Sequence, residues 1–332
     1  MSFPASLRAG LFLPLLLFAC SKPKPLAKAE APPTQEMYWG IFEEGLHQDA
    51  ARIEALEAKL GAKPAMVMWY SDWFTEFPLA TCQQLSQKGY LPHIVWEAWK
   101  MGDAKTLRLA DILEGKWDAY LQRFGSDAGR FGKPLMIRWG HEFNGDWYPW
   151  AGATNGNSPA TYVKAYQYVH DKVVAAGGKN LIWMWSPNNG GAPLEAWNRI
   201  EDYYPGDAYV DWVAMDGYNW GTSQSWSKWI SFREVFAECL ASVQKVAPNK
   251  PLMIGETAAS STGGEKAPWI QDFFAEVKRT PGLKGWIWFN INKETDWRCD
   301  ADPASLEAFR AGLKDPVYQG TVQRLESLHK LK

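Results

Sequence analysis

Eight short apolar segments recur along the chain, and they constrain its fold more than any other feature. They span 38–43, 65–71, 91–97, 134–140, 180–186, 210–216, 251–256 and 283–290, and helical patterns follow most of them. Eight units, each a strand followed by a helix, favour a closed barrel over an open sheet. The 332 residues also suit a barrel of about 250 residues with insertions. The sequence therefore predicts an α/β fold, a single (β/α)8 TIM barrel.

Composition and motifs argue against several classes of protein. No Gly-rich phosphate loop follows the first apolar segment, which disfavours a nucleotide-binding doubly wound fold. A net charge of −2 gives no reason to expect nucleic acid as a partner. The spacing of His, Cys, Asp and Glu fits no metal motif, so we expect neither a metal nor another cofactor. We expect a monomer, with Trp183, Trp212 and Trp286 among the 20 Trp residues filling its core.

The amino terminus has the pattern of a targeting segment. Arg8 precedes an apolar run from Leu11 to Ala19, which is too short to span a bilayer as a mature helix. Residues 1–19 are therefore predicted to be a signal peptide. The run ends in Leu17-Phe18-Ala19-Cys20, which resembles a bacterial lipobox, where cleavage precedes the Cys and lipid is attached to its thiol. An ordinary secretion signal with an incidental Cys is the alternative.

The chain beyond this segment divides into a tether and a domain. Residues 20–36 are rich in Lys, Pro and Ala and lack apolar periodicity, which is typical of a flexible linker. We expect lipidated Cys20 to begin this tether and residues 37–332 to form the (β/α)8 domain. The protein is then exported and anchored to a bacterial membrane, on its periplasmic face or at the cell surface.

Two glutamates stand where the fourth and seventh apolar segments end. Because the carboxyl ends of barrel strands share one mouth, Glu142 and Glu256 are expected to meet there. Side chains alternate along a strand, which predicts two sets that each share one face: Met136, Arg138, Gly140 and Glu142, and Leu252, Ile254 and Glu256. Arg138 should then lie about one layer beneath Glu142, where it would favour an ionised carboxylate nearby, form a structural ion pair, or do both.

A carboxylate pair among aromatic and amide side chains is typical of glycoside hydrolysis, which needs two carboxylates. A salt-bridge network at the barrel rim is the structural alternative. The fourth segment resembles glycoside hydrolase family 26, the mannanase-type branch of the retaining (β/α)8 glycosidases, whose motif is Arg, two residues, His-Glu, one residue, Asn-Gly, one residue, Trp. The motif positions are filled by Arg138, His141, Glu142, Asn144, Gly145 and Trp147. Segments 210–219 and 285–290 are also similar to the family's, so the resemblance covers roughly the whole chain after the leader.

The resemblance implies roles for individual residues. Glu142 corresponds to the general acid/base, Glu256 to the nucleophile, and Tyr218 to a tyrosine that bonds the nucleophile. Retention implies carboxyl groups about 5–5.5 Å apart. His141 and Asn144 are expected to bond the substrate.

Aromatic rings and one further carboxylate complete the expected binding residues. Trp288 resembles the floor under the sugar being cleaved, and Trp147 a platform on the leaving side. Trp99 belongs to the aromatic rim after the third segment. Glu97 points inward by alternation with His93, and either bonds sugar hydroxyls or makes a structural hydrogen bond.

The resemblance implies a retaining endo-β-glycanase whose partner is a neutral polysaccharide. β-1,4-Mannan is the first expectation, mixed-linkage β-1,3-1,4-glucan is the alternative, and β-xylan is the third, because single hydroxyl orientations leave no mark on residue spacing. A non-catalytic carbohydrate-binding lipoprotein on an inactive barrel is a rival of another class, and the retained glutamate pair argues against it. A solute-binding lipoprotein of a transporter would instead show two lobes of similar size.

Overall fold

The computed structural model describes residues 36–103, 107–318 and 322. Eight parallel strands pair in chain order and the eighth pairs with the first, so they close a barrel. The strands are β1 (Tyr38–Phe42), β2 (Met66–Asp72), β3 (Leu91–Glu97), β4 (Leu135–Trp139), β5 (Leu181–Trp185), β6 (Trp212–Asp216), β7 (Leu252–Thr257) and β8 (Leu283–Phe289). The predicted (β/α)8 barrel is confirmed, and each strand lies within about two residues of its predicted bounds.

The predicted signal peptide, Cys20 and the tether up to residue 35 lie outside the described residues. Their assignments stay predictions. In the part of the chain that the structure describes, no helix is long and apolar enough to cross a membrane.

Helices surround the barrel, and in four of them a polar side chain caps the first amides. They are α1 (Ala50–Leu60), α2 (Leu79–Gln87), α3 (Leu109–Leu113), α4 (Asp118–Phe131), α5 (Pro159–Ala175), α6 (Phe232–Val246), α7 (Lys266–Arg279) and α8 (Pro303–Leu313). Ser231 and Glu234 form a capping box at the start of α6, and Asp302 caps α8 ahead of Pro303. Between β5 and β6, where every residue is described, the connection holds only a short 3-10 helix, Ile200–Tyr203.

A layer of aromatic side chains fills the space between the barrel and its helices. Trp183, Trp212 and Trp286 are buried, as predicted for core residues. Trp286 stacks on Trp39 with ring centroids 5.7 Å apart and meets Phe273 of α7 edge to face at 5.0 Å. This layer fixes the helices against the strands, and so fixes the strand ends that carry the mouth.

A bulge interrupts β7 just before Glu256. Met215 pairs with Ile254, but the next residue of β6, Asp216, pairs with Glu256, so Gly255 is the extra residue. A Cβ atom on Gly255 would lie only 2.4 Å from Asp216 Oδ1, so any larger residue here would displace this buried carboxylate.

The bulge corrects the predicted facing of β7. Ile254 lines a groove on the helix side together with Met215 and Phe236 of α6, whereas Glu256 faces the barrel interior and bonds Arg138. The prediction that Leu252, Ile254 and Glu256 share one face is therefore wrong. Simple alternation fails because one additional residue reverses the facing of the strand after Ile254.

Candidate active site

Glu142 lies on a sharp turn three residues beyond the end of β4. Its φ is 52°, a left-handed conformation that is uncommon for a residue with a side chain. Its backbone N–H donates to Ser186 O at 2.7 Å, immediately after β5. The neighbouring strand end thus holds the backbone in this conformation, as is frequent at functional sites.

The Glu142 carboxylate is almost buried and accepts two hydrogen bonds. Trp147 Nε1 donates to Oε2 at 2.7 Å, and Asn188 Nδ2 donates to Oε1 at 2.7 Å. The pKa of Glu142 is raised to about 7, chiefly by burial and in addition by the charge of Glu256, while the two donors partly oppose the rise. A carboxyl group that exchanges its proton near neutral pH suits general acid/base chemistry.

Glu256 has the opposite environment. Tyr70 donates to Oε1 at 2.5 Å, Tyr218 donates to Oε2, and Arg138 Nη2 donates to Oε1. Three donors converge on this carboxylate, and one of them is a cation. Because an ionised carboxylate only accepts hydrogen bonds, this environment suits the charged form.

Arg138 is fully buried and joins Glu256 to a second carboxylate. Its Nη1 donates to Asp216 Oδ1 at the end of β6, and Ser186 Oγ donates to the other oxygen of Asp216 at 2.9 Å. The predicted ion pair inside the barrel is present, and it includes the glutamate that was predicted to be the nucleophile. Burial raises the pKa of Asp216 well above its usual value and the charge of Arg138 opposes this rise, so Arg138 positions Glu256 and also stabilises the ionised form of Asp216.

Trp147 lies at the mouth beside Glu142, with 42% of its surface exposed. Its indole N–H is occupied by the bond to Glu142, so its position is fixed while much of the ring remains accessible to solvent. An exposed, oriented ring is suited to stacking on a sugar face. Its role as the leaving-side platform stays a prediction.

Asn144 does not lie where it was predicted to act. Its side chain is buried, its Nδ2 donates to Asn188 O at 3.0 Å, and its Oδ1 accepts from Asn188 N at 2.9 Å. The prediction that Asn144 bonds the substrate is wrong, because both ends of its amide are used below the surface. It instead holds the backbone of Asn188, whose side chain bonds Glu142.

Trp288 also does not lie at the barrel mouth, where it was predicted to bind sugar. It has no exposed surface, and it lies between the barrel and α7 and α8, with its ring against Phe273 and Phe309 at 5.6 and 5.0 Å. The prediction of a sugar-binding floor at Trp288 is wrong, because residue 288 faces outward from β8. The neighbouring Phe289 faces the mouth, 5.5 Å from the ring of Tyr218.

A second aromatic ring reaches the site from the loop after β8. Trp297 lies with its ring centroid 4.9 Å from that of Tyr218, and its backbone O accepts from Trp288 Nε1 at 3.1 Å. Trp288 therefore supports the loop that carries Trp297.

His141 and Tyr148 form part of the wall near Glu142. The His141 ring is buried, its Nε2 is hydrogen-bonded to Tyr148 OH at 3.1 Å, and its ring lies 6.1 Å from Tyr70. Burial lowers the pKa of His141 well below its usual value, and the charge of Arg138 lowers it further, so the ring is neutral. Contact of His141 with substrate stays a prediction.

Glu97 and Trp99 extend this wall from the end of β3. Glu97 accepts from Trp99 Nε1 at 3.1 Å, and burial raises the pKa of Glu97 to about 7. The ring of Trp99 meets that of Tyr148 edge to face at 5.6 Å. The predicted structural hydrogen bond of Glu97 is therefore present, and its contact with sugar hydroxyls stays a prediction.

Several residues of the site were not singled out by the sequence analysis. They are Tyr148, Ser186, Asn188 and Asp216. Position gave a usable signal for two of them, because Asp216 ends the sixth apolar segment and Asn188 follows the fifth. Among the described residues, no group of three or more His, Cys, Asp or Glu side chains is arranged to hold a metal ion.

A closed parallel barrel with glutamates at the ends of its fourth and seventh strands defines the class of (β/α)8 glycoside hydrolases. Residues 117–274, just under half of the chain, match the model of glycosyl hydrolase family 26.

Curated relatives share part of their length with this chain. Endoglucanase H of Acetivibrio thermocellus is 34% identical over 288 residues, which cover 82% of this chain and 30% of that protein. A mannan endo-1,4-beta-mannosidase of Bacillus subtilis is 36% identical over 98 residues, 26% of this chain and 24% of that protein. The chain thus spans about a third or less of the length of these two relatives.

The same architecture occurs in solved structures. A GH26 beta-mannanase from Bacteroides ovatus superposes with a TM-score of 0.67 at 16% identity, covering 90% of this chain and 94% of that one. At this identity the likeness shows the fold alone.

Proposed function

We propose that this chain is a retaining endo-β-glycanase in which Glu142 is the general acid/base and Glu256 the nucleophile. The observation that carries the proposal is the contrast between the two carboxylates. Burial holds Glu142 near its point of protonation at neutral pH, whereas two tyrosines and Arg138 converge on Glu256. Two carboxylates whose environments differ in this way divide the acid and nucleophile roles between them.

The proposed reaction has two steps. In the first, Glu256 attacks the anomeric carbon and Glu142 gives its proton to the departing glycosidic oxygen, so the sugar becomes covalently bound to Glu256. In the second, Glu142 takes a proton from a water molecule that attacks the same carbon, and Glu256 leaves as a carboxylate. The net reaction adds one water across one glycosidic bond and retains the anomeric configuration.

The hydrogen bonds around the pair support both steps. Trp147 and Asn188 orient Glu142 toward the cleft, and they can donate to its oxygens whether or not the carboxyl carries a proton. Tyr70 and Tyr218 hold both oxygens of Glu256 and leave the carboxylate little freedom to rotate. Fixed donors of this kind contribute to catalysis because they need no reorganisation during the reaction.

We propose β-1,4-mannan as the first substrate. Exposed Trp147 at the mouth is suited to the apolar face of a neutral pyranose, and the mannan endo-1,4-beta-mannosidase of Bacillus subtilis supports this substrate class.

Mixed-linkage β-1,3-1,4-glucan is a second candidate, and one observation favours it. The similarity to endoglucanase H extends over 82% of the chain, whereas the similarity to the Bacillus subtilis mannosidase extends over 26%. The aligned part is only 30% of endoglucanase H, so that protein's name supports a β-glucan substrate without assigning it to this region.

The direct test is release of reducing sugar from mannan, barley β-glucan, xylan and carboxymethylcellulose. We expect activity on mannan or barley β-glucan, and NMR of the first product should show the anomeric configuration of the substrate. Glu256→Ala should abolish turnover. Glu142→Ala should slow substrates with poor leaving groups far more than activated aryl glycosides, because the latter need little protonation. Inversion of the anomeric configuration, or full activity of Glu256→Ala, would contradict the proposed mechanism.

We also propose that the protein is exported and held to a bacterial membrane through lipid on Cys20. The lipobox-like sequence that ends at Cys20 supports this proposal. Mass spectrometry of the membrane fraction should find a mature terminus at a lipidated Cys20, and an unmodified Cys20 would contradict it.

A further inference from the structure

The loop after β6 exposes a tryptophan that the reaction described above does not use. Trp226 has 70% of its surface exposed. A single exposed apolar side chain is common in proteins and is not by itself a site. Trp226 differs from such a residue because a series of aromatic rings connects it to the carboxylate pair.

A continuous series of rings leads from Glu256 to Trp226. Tyr218, which donates to Glu256, lies 6.1 Å from Trp220, and Trp220 lies 5.3 Å from Trp226. Trp297 contacts both inner members of the series, at 4.9 Å from Tyr218 and 4.8 Å from Trp220. The apolar surface at the nucleophile therefore continues outward along the rim to the exposed ring.

The loop that carries Trp226 is held in place by its own hydrogen bonds. Asn219 Oδ1 accepts from Gly221 N and from Ile230 N, both at 3.1 Å, and so ties the two ends of the loop together. Ser227 Oγ donates to Gly221 O at 2.8 Å across the loop. A ring that is already ordered loses little conformational freedom when a ligand packs on it.

The position of the loop identifies the occupant. It follows the carboxyl end of β6, so it stands at the same mouth as Glu142 and Glu256. A glycan that lies across the two glutamates and is longer than the units they contact must continue over the rim. An uncharged aromatic face that is continuous with the cleft fits the C–H face of such a sugar unit.

We propose that Trp226, backed by Trp220, is a distal subsite that binds a further sugar unit of the same neutral glycan. This inference rests on the proposed function, because it takes the glycan to be the substrate. Trp226 contributes to binding of long chains and takes no part in bond cleavage.

The test compares Trp226→Ala with Trp226→Phe, which keeps a ring, and with Ser225→Ala, an exposed neighbour in the same loop. Each variant is assayed on the polysaccharide that the wild type hydrolyses and on an activated aryl disaccharide of the same sugar. For Trp226→Ala we expect a roughly three- to tenfold rise in KM on the polysaccharide with little change on the aryl disaccharide. Trp226→Phe should recover part of the loss, and Ser225→Ala should behave as wild type.

Gel electrophoresis through the same polysaccharides provides a readout that needs no turnover. The wild type should be retarded more strongly than Trp226→Ala. If the wild type hydrolyses a polysaccharide but Trp226→Ala matches it in both assays, the subsite is refuted and the proposed function stands. If the wild type neither binds nor hydrolyses any of them, both proposals fail.

Two further results would overturn the subsite. An equal loss on the polysaccharide and on the aryl disaccharide would show that Trp226 acts by supporting the glutamate site. If Trp226→Ala has a lower mass in solution than the wild type and unchanged kinetics, a second copy of the chain covers the ring in the wild type.

Discussion

Replacement of Arg138 by Met should destabilise the protein more than any exchange of a surface cation. Arg138 is the bridge between the buried carboxylates Glu256 and Asp216, and all three side chains are almost inaccessible to solvent. Removing one partner of a buried ion pair costs about 3–5 kcal/mol of unfolding free energy, because an uncompensated charge stays in the interior. Each kcal/mol corresponds to about 1.5–2 °C in Tm for a domain of roughly 300 residues, so a decrease of about 5–10 °C is expected.

The matched control is Arg298→Met. Arg298 also pairs with a carboxylate, Asp296, but 43% of its side chain is exposed. An exposed pair of this kind contributes about 0–1 kcal/mol, so Arg298→Met should change Tm by only a few degrees. Thermal unfolding followed by circular dichroism, together with urea titration, measures both variants on the same scale.

The pH dependence of the stability lost in Arg138→Met tests whether uncompensated buried charge causes the loss. The penalty of Arg138→Met arises from ionised carboxylates without a cation, so it should be largest at pH 8. It should shrink as the pH falls to about 4, where carboxyl groups become protonated even in the unfolded chain. Equal small losses for the Arg138 and Arg298 variants, or a penalty that does not depend on pH, would refute this account of the barrel interior.

Three further predictions follow from the site. Because burial raises the pKa of Glu142 to about 7 and the acid must be protonated, kcat/KM should fall as the pH rises through about 7, and an unchanged rate between pH 6 and 8 would contradict the assignment. Gly255→Ala places a methyl group 2.4 Å from Asp216 Oδ1, so thermal melts should show a loss of about 1–3 kcal/mol together with reduced activity. Trp288→Ala should cost about 3–5 kcal/mol of unfolding free energy, because Trp288 is buried, whereas Trp147→Ala should weaken substrate binding without a comparable change in Tm.

The barrel could be predicted because its strands are buried on both sides. Such strands appear in sequence as short continuous apolar runs, and eight of them at regular spacing suggest few other folds. The connection between β5 and β6 departs from the ideal pattern, because residues 186–211 form only one short 3-10 helix. Hydrophobic periodicity reports the packing of regular elements and carries little information about such a loop, although this loop supplies Asn188.

The parts of the site that were predicted wrongly depend on contacts between distant segments. Nothing in the local sequence indicates that the Asn144 amide binds the backbone of Asn188, 44 residues away, instead of facing the cleft. Trp288 was assigned to the mouth by family resemblance, although alternation from Phe289 places it on the helix side. The Gly255 bulge is invisible to a rule of strict alternation, and only the pairing of β6 with β7 reveals it.

The departures from local rules are concentrated at the two glutamates. Glu142 has a left-handed backbone, Gly255 adds a residue to a strand just before Glu256, and Arg138 and Asp216 are ionisable groups within the barrel interior. Each of these features costs free energy that the surrounding aromatic layer must offset. A barrel selected for stability alone would replace them with regular strands and apolar side chains. Their convergence on one mouth is therefore an argument for function there that does not depend on family resemblance, because it rests only on what the backbone and the buried charges cost.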